Sequence, residues 1–183
     1  MDRQVKGAAH AHLEGSQLEH GVGPLRQRLA MANLRCQVCG GPAHRTLGGV
    51  LWLLGDDPDD PEVWTRGWHT VHPPVCLPCA TLSVRVCPHL RKRSVALRVK
   101  TGTMAGVLGV RYGPGPDGPE LLGPIEHSFR EPGIAWTVAR QLIARLDEFT
   151  VIDLDAEIEA AARDEIAVQE ALAQARAFAN APG

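Results

Sequence analysis

The sequence is poor in aromatic residues, which make up 4% of its 183 positions, whereas all hydrophobic residues together make up 44%. A core can therefore be buried, but it must consist mainly of Leu, Val, Ile and Ala side chains. No window reaches the roughly 18–20 consecutive apolar residues that a membrane span requires. Residues 1–23 also lack the apolar stretch of a secretory signal. These absences predict a cytoplasmic protein without a membrane segment.

Charges of one sign are missing from two parts of the chain. Residues 63–116 contain eight basic residues and no acidic one, whereas residues 148–183 contain eight acidic and two basic residues. The net charge of −2 hides this asymmetry. Separated basic and acidic segments are a better signal of binding partners than the total charge.

The cysteines form two short pairs. Cys36 and Cys39 lie in RCQVCGGP, and Cys76 and Cys79 lie in PVCLPCATL, with 36 residues between the pairs. A Cys-x-x-Cys turn offers two sulfur ligands, and two such pairs in a reducing compartment are typical of a tetrahedral structural Zn²⁺ site. A disulfide framework is not expected in that compartment. Four unliganded thiols, a redox pair and an iron–sulfur cluster remain as alternatives.

Residues 34–90 resemble the treble-clef zinc-finger group. The resemblance lies in the order of a zinc knuckle, a hairpin around Gly48-Gly49, a loop and a helix that begins with the second cysteine pair. That group includes HNH nucleases, but the His and Asn residues that they use are absent at the matching positions. The order CQVCGGPA, GVLWLL, PPVCLPCA, VCPHL and GVRY also resembles an uncharacterised family of high-GC bacterial proteins, and this second resemblance implies no activity.

The resulting prediction is an α+β fold with four regions. A flexible N-terminal arm spans residues 1–23, a zinc-binding module residues 24–93, an α+β region residues 94–154, and an acidic C-terminal helix residues 155–183. A small, mainly antiparallel sheet is predicted from strands at 94–101, 104–112, 121–129 and 150–154. One packed helix is predicted at 134–149, where Ile134, Val138, Leu142 and Leu146 recur every four residues. Another helix is predicted at 24–34, with Pro24 at its first position and Leu25, Leu29 and Ala32 on one apolar face.

Several residues near the cysteine pairs have two interpretations. His69, His72, Cys87 and His89 would form a second metal site or the site of an enzyme, but lone His and Cys residues are more often surface or core residues. A helix after Cys79 would put Cys87 about 12 Å along its axis, beyond the reach of the first site.

Trp52, Trp64 and Trp68 would form either a ligand-stacking surface or, as we favour, a cover for the zinc module.

The charged segments suggest the partners. Arg91, Lys92 and Arg93, with Arg85, Arg98 and Lys100 nearby, would contact phosphates of a nucleic acid or form a solvated charge run. The last helix has apolar residues in a 4-3 spacing that Glu165 interrupts, so it would bind a partner or pack on its own domain. The sequence thus predicts a non-enzymatic zinc-binding interaction or regulatory protein. A nucleic-acid-binding protein and an enzyme using His69 and His72 are the alternatives.

Overall fold

A computed structural model describes residues 23–55 and 68–179 of the chain. Residues 1–22 of the predicted N-terminal arm and Trp64 lie outside the described residues. Within these residues the helices are α1 (Pro24–Ala32), α2 (Leu77–Val86), α3 (Pro88–Lys92) and α4 (Leu154–Ala179). The strands are β1 (Arg45–Thr46), β2 (Gly49–Leu54), β3 (Trp68–Thr70), β4 (Val95–Gly115), β5 (Gly118–Ser128) and β6 (Thr137–Ile152), and a 3₁₀ helix spans Pro132–Trp136.

The six strands form one open antiparallel sheet, so the predicted α+β class and antiparallel pairing are confirmed. The strand order is β1-β2-β4-β6-β3, and β5 pairs with the far half of β4. β2 and β5 therefore share one edge of the long strand β4, and β6 follows its other edge. Strands from both predicted regions, 24–93 and 94–154, join in this sheet.

The centre of the sheet is buried on both faces, which explains the continuous apolar run of β2. Val50, Trp52 and Leu54 point into a cluster with Met31 of α1 and Leu146 of β6. The alternate residues of β2, Leu51 and Leu53, point into a second cluster with the cysteine pairs, α2 and the first turns of α4. Residues of a strand alternate between faces, so a strand with two covered faces reads as uninterrupted hydrophobic sequence.

Helix α1 forms as predicted, but the prediction of its buried face is wrong. Leu25 and Leu29 are 63% and 52% exposed, and Ala32 is also exposed. The buried residues of this helix are Gln27, Ala30 and Met31. The spacing of apolar residues in α1 indicated the wrong buried face, because α1 covers a surface that includes the polar backbone edge of β6.

Gln27 explains why a polar side chain is buried in α1. Its Nε2 donates to the carbonyl oxygens of Val71 (2.7 Å) and Leu142 (2.9 Å), and its Oε1 accepts from the N–H of Leu142 at 2.9 Å. β3 pairs with β6 only at residues 144–146, so Gln27 continues the ladder where that strand ends. The adjacent Arg28 donates to the carbonyl of Ala139 at 2.6 Å. Together these side chains cover an edge that would otherwise be open.

The prediction of a packed helix at 134–149 is wrong, because this segment forms the short 3₁₀ helix followed by β6. A spacing of four residues places side chains on one face of a helix, but it also places them on one face of a strand, where the period is two. In β6, Leu142 and Leu146 share a face in this way and both pack against the first cluster. The predicted strand at 150–154 is the end of β6.

The other predicted elements are found with changed limits. The strands predicted at 94–101 and 104–112 are one strand, β4, with irregular pairing to β6 between residues 99 and 109. The predicted hairpin at Gly48-Gly49 and the strand near 121–129 are confirmed as β1–β2 and β5. The C-terminal helix is confirmed as α4. Of the helices that the structure describes, none combines the length and hydropathy needed to span a bilayer.

Candidate metal centre

The first cysteine pair lies in a closed loop directly after α1. Arg35 and Pro42 form an isolated bridge at the base of this loop. Within it, the N–H of Cys36 donates to Gly41 O, and the N–H of Gly40 donates to Cys36 O, both at 2.8 Å. Gly40 has a φ of +77°, a conformation that residues with a Cβ rarely adopt. The glycine after Cys39 therefore allows the chain to turn back after the second sulfur.

Backbone hydrogen bonds bring the second pair to the first. Val75 donates to Leu51 O in β2 and accepts from the N–H of His44, each at 3.0 Å. Its neighbour Pro74 accepts from the N–H of Gln37, which lies between the two cysteines of the first pair. This segment leads directly to Cys76, the N-cap of α2, and Cys79 lies in the first turn of the helix. The second pair thus stands at the positive end of a helix dipole, which favours thiolates.

The four sulfur atoms converge. All four ligand atoms lie within 4.8 Å of one another, and Cys36 is fully buried. The sulfurs of Cys39 and Cys76 are 3.8 Å apart. Four sulfurs in a tetrahedron about 2.3 Å from a Zn²⁺ ion would be about 3.8 Å apart, whereas a disulfide requires about 2.05 Å. The donor set therefore fits a tetrahedral thiolate-bound metal ion and does not fit a disulfide.

The thiols also influence one another electrostatically. Burial by itself would raise the pKa of Cys36, but the backbone N–H groups of Cys39, Cys76 and Val38 donate to its sulfur and lower the pKa to about 7. Burial raises the pKa of Cys76. Burial and hydrogen bonding to the other three sulfurs raise the pKa of Cys79. The thiolate of Cys36 thus forms readily while Cys76 and Cys79 resist ionisation, and a bound cation is what would allow several thiolates to coexist.

A buried ionic cluster that the sequence did not reveal lies beside this site. Arg98 of β4 is only 3% exposed and forms an ion pair with Glu157 of α4. The same guanidinium donates to Nδ1 of His44 at 2.8 Å. Burial, and then the charge of Arg98, lower the pKa of His44, and the hydrogen bond from Arg98 lowers the pKa of Glu157. A local pattern cannot indicate this cluster, because its members come from three separate parts of the chain.

The other predicted metal-ligand residues do not join a site. Among the residues that the structure describes, the only group of three or more potential ligands is the four-cysteine cluster. Cys87 is half-buried between α2 and α3 and lies outside that cluster, as predicted. His69, His72 and His89 are exposed, and none of them belongs to such a group. Trp52 and Trp68 are core residues, each 3% exposed, as favoured over a ligand-stacking surface, but they lie in the first cluster and not in the one that contains the cysteines.

The predicted basic face is smaller than the sequence suggested. Arg91, Lys92 and Arg93 are exposed on and after α3, and Arg85 is exposed on α2. Arg98 is buried in its ion pair with Glu157, and Lys100 pairs with Glu148 at 3.4 Å. Contact with a nucleic acid remains a prediction that now rests on the residues of α2 and α3.

Comparison with protein-family models, with curated proteins and with solved structures gave no significant match. The function must therefore be argued from the geometry of the chain itself.

Proposed function

We propose that this chain is a non-enzymatic interaction protein whose fold is held together by one structural Zn²⁺ ion bound to Cys36, Cys39, Cys76 and Cys79. The observation that carries the proposal is the convergence of four sulfurs from two distant Cys-x-x-Cys segments within 4.8 Å. Such a site is closed, because all four zinc positions are taken by protein ligands, and closed sites are structural. The treble-clef resemblance of this region belongs to the same proposal.

The location of the cluster supports a structural role for the metal. Three of the cysteines, Cys36, Cys76 and Cys79, pack in or against the second hydrophobic cluster, together with β2, α2 and the first turns of α4. A metal ion here would connect the loop after α1 to the start of α2. Structural zinc contributes on the order of 10 kcal/mol to the folding of small modules, so its removal would expose this cluster.

Metal content and ligand substitutions test this proposal. The purified protein should contain one zinc per chain by elemental analysis, and Cys36→Ser and Cys76→Ser should each lose it. Cys87→Ser is the matched control, because Cys87 is a thiol on the same helix pair outside the cluster, and it should keep the zinc. Chelation should remove hydrogen-exchange protection from β2 and α2. Iron in place of zinc, or a chain free of metal with β2 and α2 still protected, would contradict the proposal.

A further inference from the structure

The second half of α4 leaves the body of the protein. The first turns of this helix pack through Leu154, Ile158 and Ala161 against the second cluster. Beyond them, every described side chain of residues 162–173 is exposed. We call residues 162–173 the projecting half of α4. It presents Ile166, Val168 and Leu172, which are 60%, 56% and 48% exposed.

The projecting half of α4 is acidic as well as apolar. Asp164, Glu165 and Glu170 outnumber the single basic residue, Arg163, and that residue is paired within the helix with Glu159 at 3.8 Å. An isolated helix of this length is marginal in water and gains most of its stability from packing of an apolar face. The exposed apolar residues and the acidic excess therefore call for a basic, partly apolar docking surface.

Such a surface exists on the outer face of α2–α3, which consists of Leu82, Arg85, Val86, Arg91 and Lys92. Leu82 and Val86 are 53% and 63% exposed and lie one turn apart on α2. The three basic residues are exposed, and none of them takes part in an ion pair among the described residues. This face thus offers exposed apolar residues to match those of the projecting half of α4, and positive charge to complement its acidic residues.

We propose that the projecting half of α4 docks on the outer face of α2–α3 of a second copy of this chain, and that two copies exchange these contacts in a two-fold dimer. The proposal deepens the interaction role proposed above and rests on it. In a two-fold arrangement each chain supplies one helix and one docking face, so the contact is made twice. Doubling matters because a stable interface buries about 800 Å² on each partner.

A second copy is needed because the helix cannot reach its own outer face. Its packed turns lie against the second cluster, and so do Val84 and Leu90 on the inner side of α2 and α3. The next 12 residues continue straight for about 18 Å at 1.5 Å per residue. The stripe that packs on the body of the chain therefore continues into the projecting half, where no described residue of the same chain covers it.

The charges on α4 favour docking on α2–α3 over a dimer in which two α4 helices pack against each other. The 4-3 stripe of α4 has Glu165 at a core position, so two such helices side by side would bury like charges in their contact. Docking on α2–α3 through this stripe instead brings Glu165 and the flanking Asp164 towards Arg91 and Lys92. Complementary charge of this kind steers association and fixes the partner.

Charge reversal with rescue tests the proposal. Sedimentation equilibrium should show a dimer for the wild type and monomers for the Arg91→Glu/Lys92→Glu and Asp164→Lys/Glu165→Lys variants, with dissociation constants raised about tenfold or more. An equimolar mixture of the two variants should form a heterodimer, because each reversed helix then meets a reversed face. Asp117→Lys/Glu120→Lys, at the distant β4–β5 turn, is the matched control and should stay dimeric. Zinc content should be unchanged throughout.

Three results would overturn the inference. The first is a wild type that contains one zinc per chain but stays monomeric up to about 100 µM, well above micromolar dissociation constants; the structural zinc would then stand without the dimer. The second is a mixture of the two variants that does not associate. The third is an Arg91→Glu/Lys92→Glu variant that loses salt-dependent binding to duplex DNA but not its dimeric state, because the basic face would then serve a nucleic acid.

Discussion

At the scale of single residues, the candidate site divides into a part that the sequence could predict and a part that it could not. The four cysteines were predictable because each pair is a local pattern whose spacing reflects metal geometry. Arg98 was not, because it lies among basic residues in the sequence and its partner Glu157 is 59 residues away. The alternation of Leu97, Arg98 and Val99 predicts that the arginine faces solvent, yet α4 covers this side of the strand.

The pH dependence of stability follows from this buried cluster. His44 has its pKa lowered in the folded protein from the ordinary value of 6.5, and Glu157 has its pKa lowered from 4.5. As the pH falls through 6.5 the unfolded chain binds a proton at residue 44 before the folded chain does, so folding becomes less favourable. The contribution of Glu157 is lost at lower pH, below 4.5 and through its folded pKa. Acidification should therefore destabilise the protein in two steps.

A His44→Asn variant isolates the first step, because the asparagine Oδ1 can accept the hydrogen bond from Arg98 but cannot be protonated. Urea unfolding at about pH 7.5 and pH 5.5, on either side of the ordinary histidine pKa, should show a smaller loss of stability for this variant than for the wild type. His89→Asn, on the exposed surface of α3, should behave like the wild type. Equal losses for His44→Asn and the wild type would exclude His44 as the group responsible.

At the scale of elements, the sequence predicted helices best where their starts carry local signals. α1 begins with a proline at its first position, and α4 has acidic residues in its first turn, as expected for helix starts. β6 was mistaken for a helix because its apolar spacing of four suits either structure. What decides for the strand is pairing with β4 along almost its whole length, and a long-range partner leaves no local signal.

Gln27 carries the contact between α1 and the edge of β6, so replacing it should be costly. Gln27→Met keeps the length of the side chain but leaves Leu142 N–H and two carbonyl oxygens without partners. We expect a loss of about 2–4 kcal/mol in the free energy of unfolding, because buried backbone groups without hydrogen bonds are expensive. Leu29→Gln, on the exposed side of the same helix, should change it by less than about 0.5 kcal/mol. Urea denaturation measures both, and similar values for the two variants would contradict this account of the edge.

At the scale of the whole molecule, the two faces of β2 and β4 connect distant parts of the chain. One face unites α1 with β3 and β6, whereas the other unites the cysteine cluster, α2 and the start of α4. The candidate metal centre and the C-terminal helix thus belong to one packing unit although about 75 residues separate Cys79 from the start of that helix. Hydrophobic patterning predicted which segments would be buried, but not which of them would pack on the same face of the sheet, since this depends on the strand order.

This division of α4 predicts that its two halves contribute very differently to stability. Removing residues 162–183 deletes described side chains that are all exposed, so the free energy of unfolding should stay within about 0.5 kcal/mol of the wild type. Removing residues 154–183 also exposes the second cluster and leaves the buried charge of Arg98 without Glu157, which should cost at least about 3 kcal/mol. Urea unfolding should be measured at a protein concentration low enough for the wild type to be monomeric, because association itself stabilises the folded state. If the shorter deletion is as destabilising as the longer one, the residues that it removes must pack on their own chain, and both the description of this part of α4 as projecting and the docking inferred from it would be wrong.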